Sequence, residues 1–180
     1  MNAPTPSVKK LVTTALFAAL ACMATLVIRL PISPTGGYIN LGDCVVLICG
    51  WVLSPVYAMA AAGVGSMMAD VIVGVPYYAP ATLVIKAVMA VVAGALFRTV
   101  SQRMKRSPLA GCLVSAVAAE CIMAAGYCFF EYVILGLGPA ALLGLPGSGV
   151  QAVCGGAAAV VAYLLLRRNK TLSGHLDRLG

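Results

Sequence analysis

Lys9-Lys10, then Leu11-Val-Thr-Thr-Ala-Leu-Phe-Ala-Ala-Leu-Ala-Cys-Met-Ala-Thr-Leu-Val-Ile28, then Arg29: an uninterrupted apolar run bracketed by cations. A helix needs about 20 predominantly apolar residues to cross the hydrocarbon layer of a bilayer, and this run approaches that length. A cationic lead into an apolar stretch also opens a signal peptide. Here, however, the run is long, no small-x-small cleavage site precedes polar sequence, and further apolar segments follow. It reads as the first of several membrane helices.

Composition extends that reading to the whole chain. Of 180 residues 62% are hydrophobic and 9% are charged, and the mean hydropathy is +1.01. A soluble domain carries about a quarter charged residues, so this chain has too few charges to cover a surface facing water. Lipid is the solvent that fits. Pro, Gly and charge divide the sequence into six apolar segments: 11–28, 41–53, 56–73, 81–97, 109–135 and 150–166. The second is short for a full crossing, and the fifth is long enough to tilt or extend beyond the bilayer. The expected fold is an all-α integral membrane bundle of six transmembrane helices, one domain over residues 1–180.

Orientation follows from lysine and arginine, which stay on the cytoplasmic side. Lys9 and Lys10 precede segment 1; Arg98, Arg103, Lys105 and Arg106 separate segments 4 and 5; Arg167, Arg168, Lys170 and Arg178 follow segment 6. With six crossings these regions share one face, which puts ten of the twelve basic residues in the cytoplasm together with both termini. The expected location is therefore a cell membrane, as a multi-pass protein in contact with lipid. The net charge of +7 is a consequence of topology and implies no nucleic-acid partner.

The acidic residues obey a different rule. Asp43 opens segment 2, Asp70 and Glu131 lie one turn before the ends of segments 3 and 5, and Glu120 sits deeper in segment 5. With Arg29 and Lys86 they approach the outer half of the membrane. Ionisable groups in hydrocarbon are costly and face a bundle interior or a wet cavity, so these six point to an outward-facing polar pocket. Glu120, Ala124, Tyr127 and Glu131 share one helical face; so do Ala58, Ala62, Ser66 and Asp70, and again Thr82, Lys86 and Ala90. Asp70 and Lys86 flank the short connection 74–80 at similar depth. They are expected either to form a structural ion pair fixing that hairpin or to touch ligand.

The outer loops add Tyr38, Asn40, Tyr77 and Tyr78, which offer stacking and hydrogen bonds or serve as interfacial anchors. A catalytic set is missing: the single histidine, His175, lies in the polar tail, and no GxSxG, HExxH or Walker A sequence occurs. The seven cysteines sit in apolar stretches without a CxxC pair, so they read as small core residues and not as a metal site or disulfide framework. The chain is expected to be no enzyme, to hold no metal or cofactor, and to need another chain if ATP drives it. Segment 1 also carries Ala15-x-x-x-Ala19, overlapped by Ala18-x-x-x-Cys22, a spacing that lets a second helix approach closely.

Taken in order, Gly37-Tyr-Ile-Asn-Leu-Gly-Asp43, Gly65-Ser-x-x-Ala-Asp70, Tyr78-Ala-Pro-Ala-Thr-x-x-x-Lys86, Glu120-x-x-Met123-x-x-Gly126-Tyr127-x-x-x-Glu131 and Pro146-x-x-x-x-Gln151 resemble the substrate-binding S components of energy-coupling factor (ECF) vitamin transporters. The likeness spans nearly the whole chain and is closest to the riboflavin-type, hydroxymethylpyrimidine- and pyridoxine-like subgroup. It implies a non-enzymatic subunit that captures a vitamin outside the cell and docks to a transmembrane T component coupled to two ATPase subunits. ATP is then used by the partners. The resemblance maps T-component contact onto Ala15 and Ala19, carries the Pro146 to Gln151 motif into the start of segment 6, and gives Asn40, Asp43, Asp70, Tyr78, Lys86, Glu120, Tyr127, Glu131 and Gln151 as the candidate ligand residues. Several carboxylates suit a ligand with hydroxyls and a basic ring nitrogen, which favours pyridoxine or hydroxymethylpyrimidine over riboflavin. The competing classes are a membrane-embedded enzyme of lipid or isoprenoid metabolism, which would show a clustered Asp-rich or His-containing motif, and an autonomous secondary carrier.

Overall fold

A computed structural model describes residues 8–27, 29–31, 38–104 and 107–168. The loop residues 32–37, the basic residues Lys105, Arg106, Lys170 and Arg178, and His175 lie outside them. In chain order the elements are α1 (Val8–Val27), β1 (Arg29–Pro31), β2 (Tyr38–Asn40), α2 (Gly42–Val52), α3 (Pro55–Val73), α4 (Ala79–Arg103), α5 (Pro108–Phe129) and α6 (Leu145–Arg168). A π-helical turn, Phe130–Ile134, and a 3-10 segment, Gly138–Gly144, join α5 to α6.

Five helical stretches are long and apolar enough to cross a membrane, and Gly42–Val52 is a sixth, shorter apolar helix. At 1.5 Å per residue its 11 residues reach only about 16 Å. It is apolar all round, and a helix of that kind belongs in the interior. Nine of its residues are buried; α1, α3, α4 and α6 pack around it, while α3–α4, α4–α5 and α5–α6 pack as neighbours in sequence. The short segment is thus the axis of the bundle.

Close approach to that axis requires glycine. A Cβ on Gly50 of α2 would be driven into the Ala90 carbonyl of α4, and one on Gly94 into the Gly50 carbonyl. Gly65 of α3 meets the backbone of Ala18 in the same way. This contact sorts the two overlapping stripes of α1: Ala18 and Cys22 are half-buried and Ala21 fully buried on the side of α3, whereas Ala15 and Ala19 are exposed.

Helix boundaries depart from the apolar segments for local reasons. Proline is tolerated in a first helical turn, where its missing N–H has no partner to lose. So α3 begins at Pro55, α5 at Pro108, and α6 already at Leu145 with Pro146 inside its first turn. Gln151 therefore lies in the second turn of α6 and not at its first residues. Likewise α4 runs on to Arg103, because charge marks the edge of the lipid and does not stop a helix. The all-α expectation is corrected by a two-stranded antiparallel hairpin, with Arg29 opposite Asn40 and Pro31 opposite Tyr38.

Overpacking a tight helix crossing costs about 1–3 kcal/mol. Gly50→Val should accordingly lower the melting temperature of the detergent-solubilised protein. Gly149→Ala, with nothing within 4 Å of its added methyl, should leave it unchanged or slightly raised. The check is thermal unfolding followed by size-exclusion profile.

Candidate ligand-binding site

At the end of the bundle away from Lys9, Arg98 and Arg167, a cavity opens among the end of α1, the hairpin, the end of α3, the start of α4, the end of α5 and the start of α6. It encloses about 80 Å³, less than the roughly 300–1,000 Å³ of a small-molecule site, so side chains of the wall must move apart to admit a ligand. Its polar wall carries Thr25, Asn40, Ser66, Asp70, Tyr78, Thr82, Lys86, Tyr127, Glu131, Ser148 and Gln151.

Helical periodicity explains the wall. Ser66 and Asp70 are one turn apart on α3, as are Thr82 and Lys86 on α4, and all four are buried. Ala124, Tyr127 and Glu131 continue along one face of α5 into the π turn, which widens the helix where Glu131 leaves it. Glycine in the left-handed conformation (Gly74, φ 91°) ends α3 just after Asp70 and turns the chain toward Tyr78.

Beneath the cavity lies a buried polar chain. Lys86 Nζ donates to Asp43 Oδ1, and Asp43 is fully buried. Gln151 Nε2 donates to Asp43 Oδ2 at 2.5 Å. The Asn40 backbone N–H donates to Gln151 Oε1 at 3.0 Å, and Asn40 Oδ1 accepts from the Gly42 N–H at 2.8 Å. That last bond is an Asx turn, which starts α2 directly under the hairpin. A second set ties α4 to α5: Tyr78 OH donates to Glu131 Oε1 at 2.8 Å, and the Thr82 and Tyr127 hydroxyls are hydrogen-bonded at 3.0 Å.

Several expectations change. Lys86 pairs with Asp43 of α2, not across the α3–α4 hairpin with Asp70; its side chain points inward to the axis, where α2 begins. Asp70 instead stands on the cavity wall, 4% exposed. Of the six ionisable groups expected to converge, Asp70, Lys86 and Glu131 line the cavity, whereas Asp43 lies below it. Arg29 is exposed and donates to the Leu26 carbonyl. Glu120 is buried but lines a separate apolar groove between α5 and α6. Neither of its carboxylate oxygens has a hydrogen-bond partner among the described residues. The side chain of Tyr38 lies outside the described set.

Thr25, Ser148 and Gly155 were missed. Ser148, Gln151 and Gly155 fall at i, i+3 and i+7 of one α6 face, a signal hidden by starting that helix too late. A Cβ on Gly155 would stand 3.0 Å from that of Asp43, so glycine there lets α6 reach the start of α2. Thr25 is one of the few polar residues of α1, and its hydroxyl is bonded to the Ala21 carbonyl.

The arrangement supplies donors, acceptors and aromatic surface for non-covalent binding. Among the described residues no group of three His, Cys, Asp or Glu could hold a metal ion.

Removing one partner of a buried ion pair strands the other charge and costs about 3–5 kcal/mol. Asp43→Ala should therefore destabilise the protein by that order, and adding Lys86→Met should recover most of the loss. A double-mutant cycle on melting of the purified protein checks this; equal, additive losses would mean that the two side chains do not depend on each other.

An uncharacterized protein from the gap 3' region of Pyrococcus woesei is 33% identical over 118 residues, covering 66% of this chain and 75% of that protein. A family profile described as "ECF-type riboflavin transporter, S component" matches residues 5–170. The chain therefore belongs to the family of ECF-type riboflavin transporter S components, membrane proteins of vitamin uptake that bind substrate.

Proposed function

We propose that this chain is the substrate-capture subunit of an ATP-driven ECF-type vitamin transporter, taking up pyridoxine or hydroxymethylpyrimidine in preference to riboflavin. The observation that carries it is the polar cavity at one end of the bundle, opposite the helix ends bearing Lys9 and Lys10, Arg98 and Arg103, and Arg167 and Arg168. Basic helix ends belong to the cytoplasm, so the cavity faces outward. In this reading α2 counts as a sixth, buried crossing, both termini are cytoplasmic, and the protein resides in the bacterial plasma membrane.

Substrate would sit against Asp70, Tyr78, Lys86, Tyr127 and Glu131 under a hairpin held down through Asn40 and Gln151. Asp43 and Glu120 support this site from below and behind. The preference for a single small ring rests on chemistry: the wall is dense in hydroxyl, amide and carboxylate groups, while the fused rings of riboflavin call for more stacking surface. The partners are a T component and two ATPase subunits. The exposed Ala15 and Ala19 on α1 form the small-residue surface on which a partner helix can come close.

Isothermal titration of the purified protein with pyridoxine, hydroxymethylpyrimidine and riboflavin tests the substrate assignment. One of the first two is expected to bind saturably, one per chain, and more tightly than riboflavin. Saturable binding of none of the three would defeat the assignment. For the partner surface, Ala15→Trp and Ala19→Trp should bind vitamin as wild type does, yet lose uptake and co-purification with the T component. Wild-type assembly in both variants would mean that the stripe faces only lipid.

A further inference from the structure

Charge on the cavity wall is one-sided. Two carboxylates, Asp70 and Glu131, line it with a single lysine, and a third, Asp43, lies just below. Lys86 is the one basic side chain on the wall among the described residues, and its ammonium is bound from below by Asp43. Glu131 is placed differently. It is 6% exposed, it lines the cavity, and it accepts at Oε1 from a neutral phenol, Tyr78. No lysine or arginine among the described residues forms an ion pair with it. A buried carboxylate without a cation is costly, and a ligand that brings the cation removes that cost on binding.

The surroundings of Glu131 define the shape of such a ligand. The rings of Tyr78 and Tyr127 stand beside it with centroids 6.4 Å apart, and Phe130 backs Tyr78 at 5.4 Å. Aromatic faces next to a carboxylate suit a flat cation, which gains from the ring quadrupoles as well as from the charge. The Lys86 ammonium already stands 5.5 Å from the centroid of Tyr127, so the wall tolerates positive charge at its aromatic side.

We infer that the site binds its ligand as a flat heteroaromatic ring with a positively charged, proton-bearing nitrogen, whose N–H is accepted by Glu131 Oε2, the oxygen that Tyr78 does not use. This rests on the vitamin-capture reading and narrows it: the ring is recognised through its basic nitrogen, and a neutral ring of equal size is rejected. Rejection follows because the neutral ring leaves the carboxylate buried and uncompensated, the asymmetry that makes polar sites selective.

The test compares pyridoxine, whose ring nitrogen carries a proton in its zwitterionic form, with its carbocyclic analogue in which CH replaces that nitrogen. Both are titrated into wild type, Glu131→Gln and Glu131→Asp, with melting temperature recorded for each variant. Wild type should bind pyridoxine roughly tenfold or more tightly than the analogue, the range for a hydrogen bond to a charged group. Glu131→Gln should bring the two ligands to within about threefold by weakening pyridoxine alone, and Glu131→Asp should keep part of the preference. Equal affinity of wild type for the two rings overturns the inference while leaving vitamin capture standing. So does equal weakening of both ligands in Glu131→Gln at unchanged melting temperature, which would mean a structural glutamate. Binding of riboflavin alone also overturns it, and vitamin capture again survives. If Glu131→Gln does not fold, the wild-type comparison still decides. Failure of pyridoxine, its analogue, hydroxymethylpyrimidine and riboflavin all to bind would remove the capture reading itself, and this inference with it.

Discussion

The buried contact between Lys86 and Asp43 holds the cavity end of this bundle together. Two opposite charges have been taken out of water into a helical interior, and neither is tolerable there alone. The pair is extended by Gln151, which donates to the second Asp43 oxygen, and by Asn40, whose backbone donates to Gln151. Four elements (α4, α2, α6 and β2) are thereby registered against one another at the floor of the cavity. A hydrophobic contact could hold these helices at the same distance but would not fix their rotation, because apolar surfaces slide where hydrogen bonds do not.

Such a floor exists only because the helices can come close enough. α2 is short, so other helices must fold in around it, and glycine supplies the room: Gly50 against α4, Gly65 against α1, Gly155 of α6 against Asp43. In lipid there is little hydrophobic gain from bringing two helices together, and close backbone packing carries more of the stability. The same device places the charged pair, since a side chain at Gly155 would push α6, and Gln151 with it, away from Asp43.

Much of the bundle was legible in the sequence because lipid imposes simple rules. Apolar run length gives helices, and the period of 3.6 puts Ser66 with Asp70 and Thr82 with Lys86 on shared faces. Depth and partner choice were not legible. Helical periodicity says which face Lys86 occupies, but which of several carboxylates it meets depends on where the neighbouring helix starts, and α2 starts under the hairpin through an Asx turn at Asn40. The same gap in the reading put Glu120 in the pocket: it shares a face with Tyr127 and Glu131, yet lies deeper, behind the wall and next to Gly155. Hydropathy also hid the first turn of α6, because Pro146 and Gly147 look like loop while proline at that position is compatible with a helix. The three-residue strands were too short to leave a pattern.

α1 shows how one helix can serve three surroundings without conflict. Ala18, Ala21 and Cys22 face α3, Thr25 reaches the cavity near its end, and Ala15 and Ala19 remain on the outer surface among Leu16, Leu20 and Met23. Only Thr14, Ala21 and Thr25 are buried along its whole length, so α1 is attached along a narrow line. A helix held in this way can present its outer face to another chain while its inner line stays in register with α3 through the Gly65 contact. The cavity-lining Thr25 and the exposed Ala15 and Ala19 then lie on different faces and at different depths of the same helix.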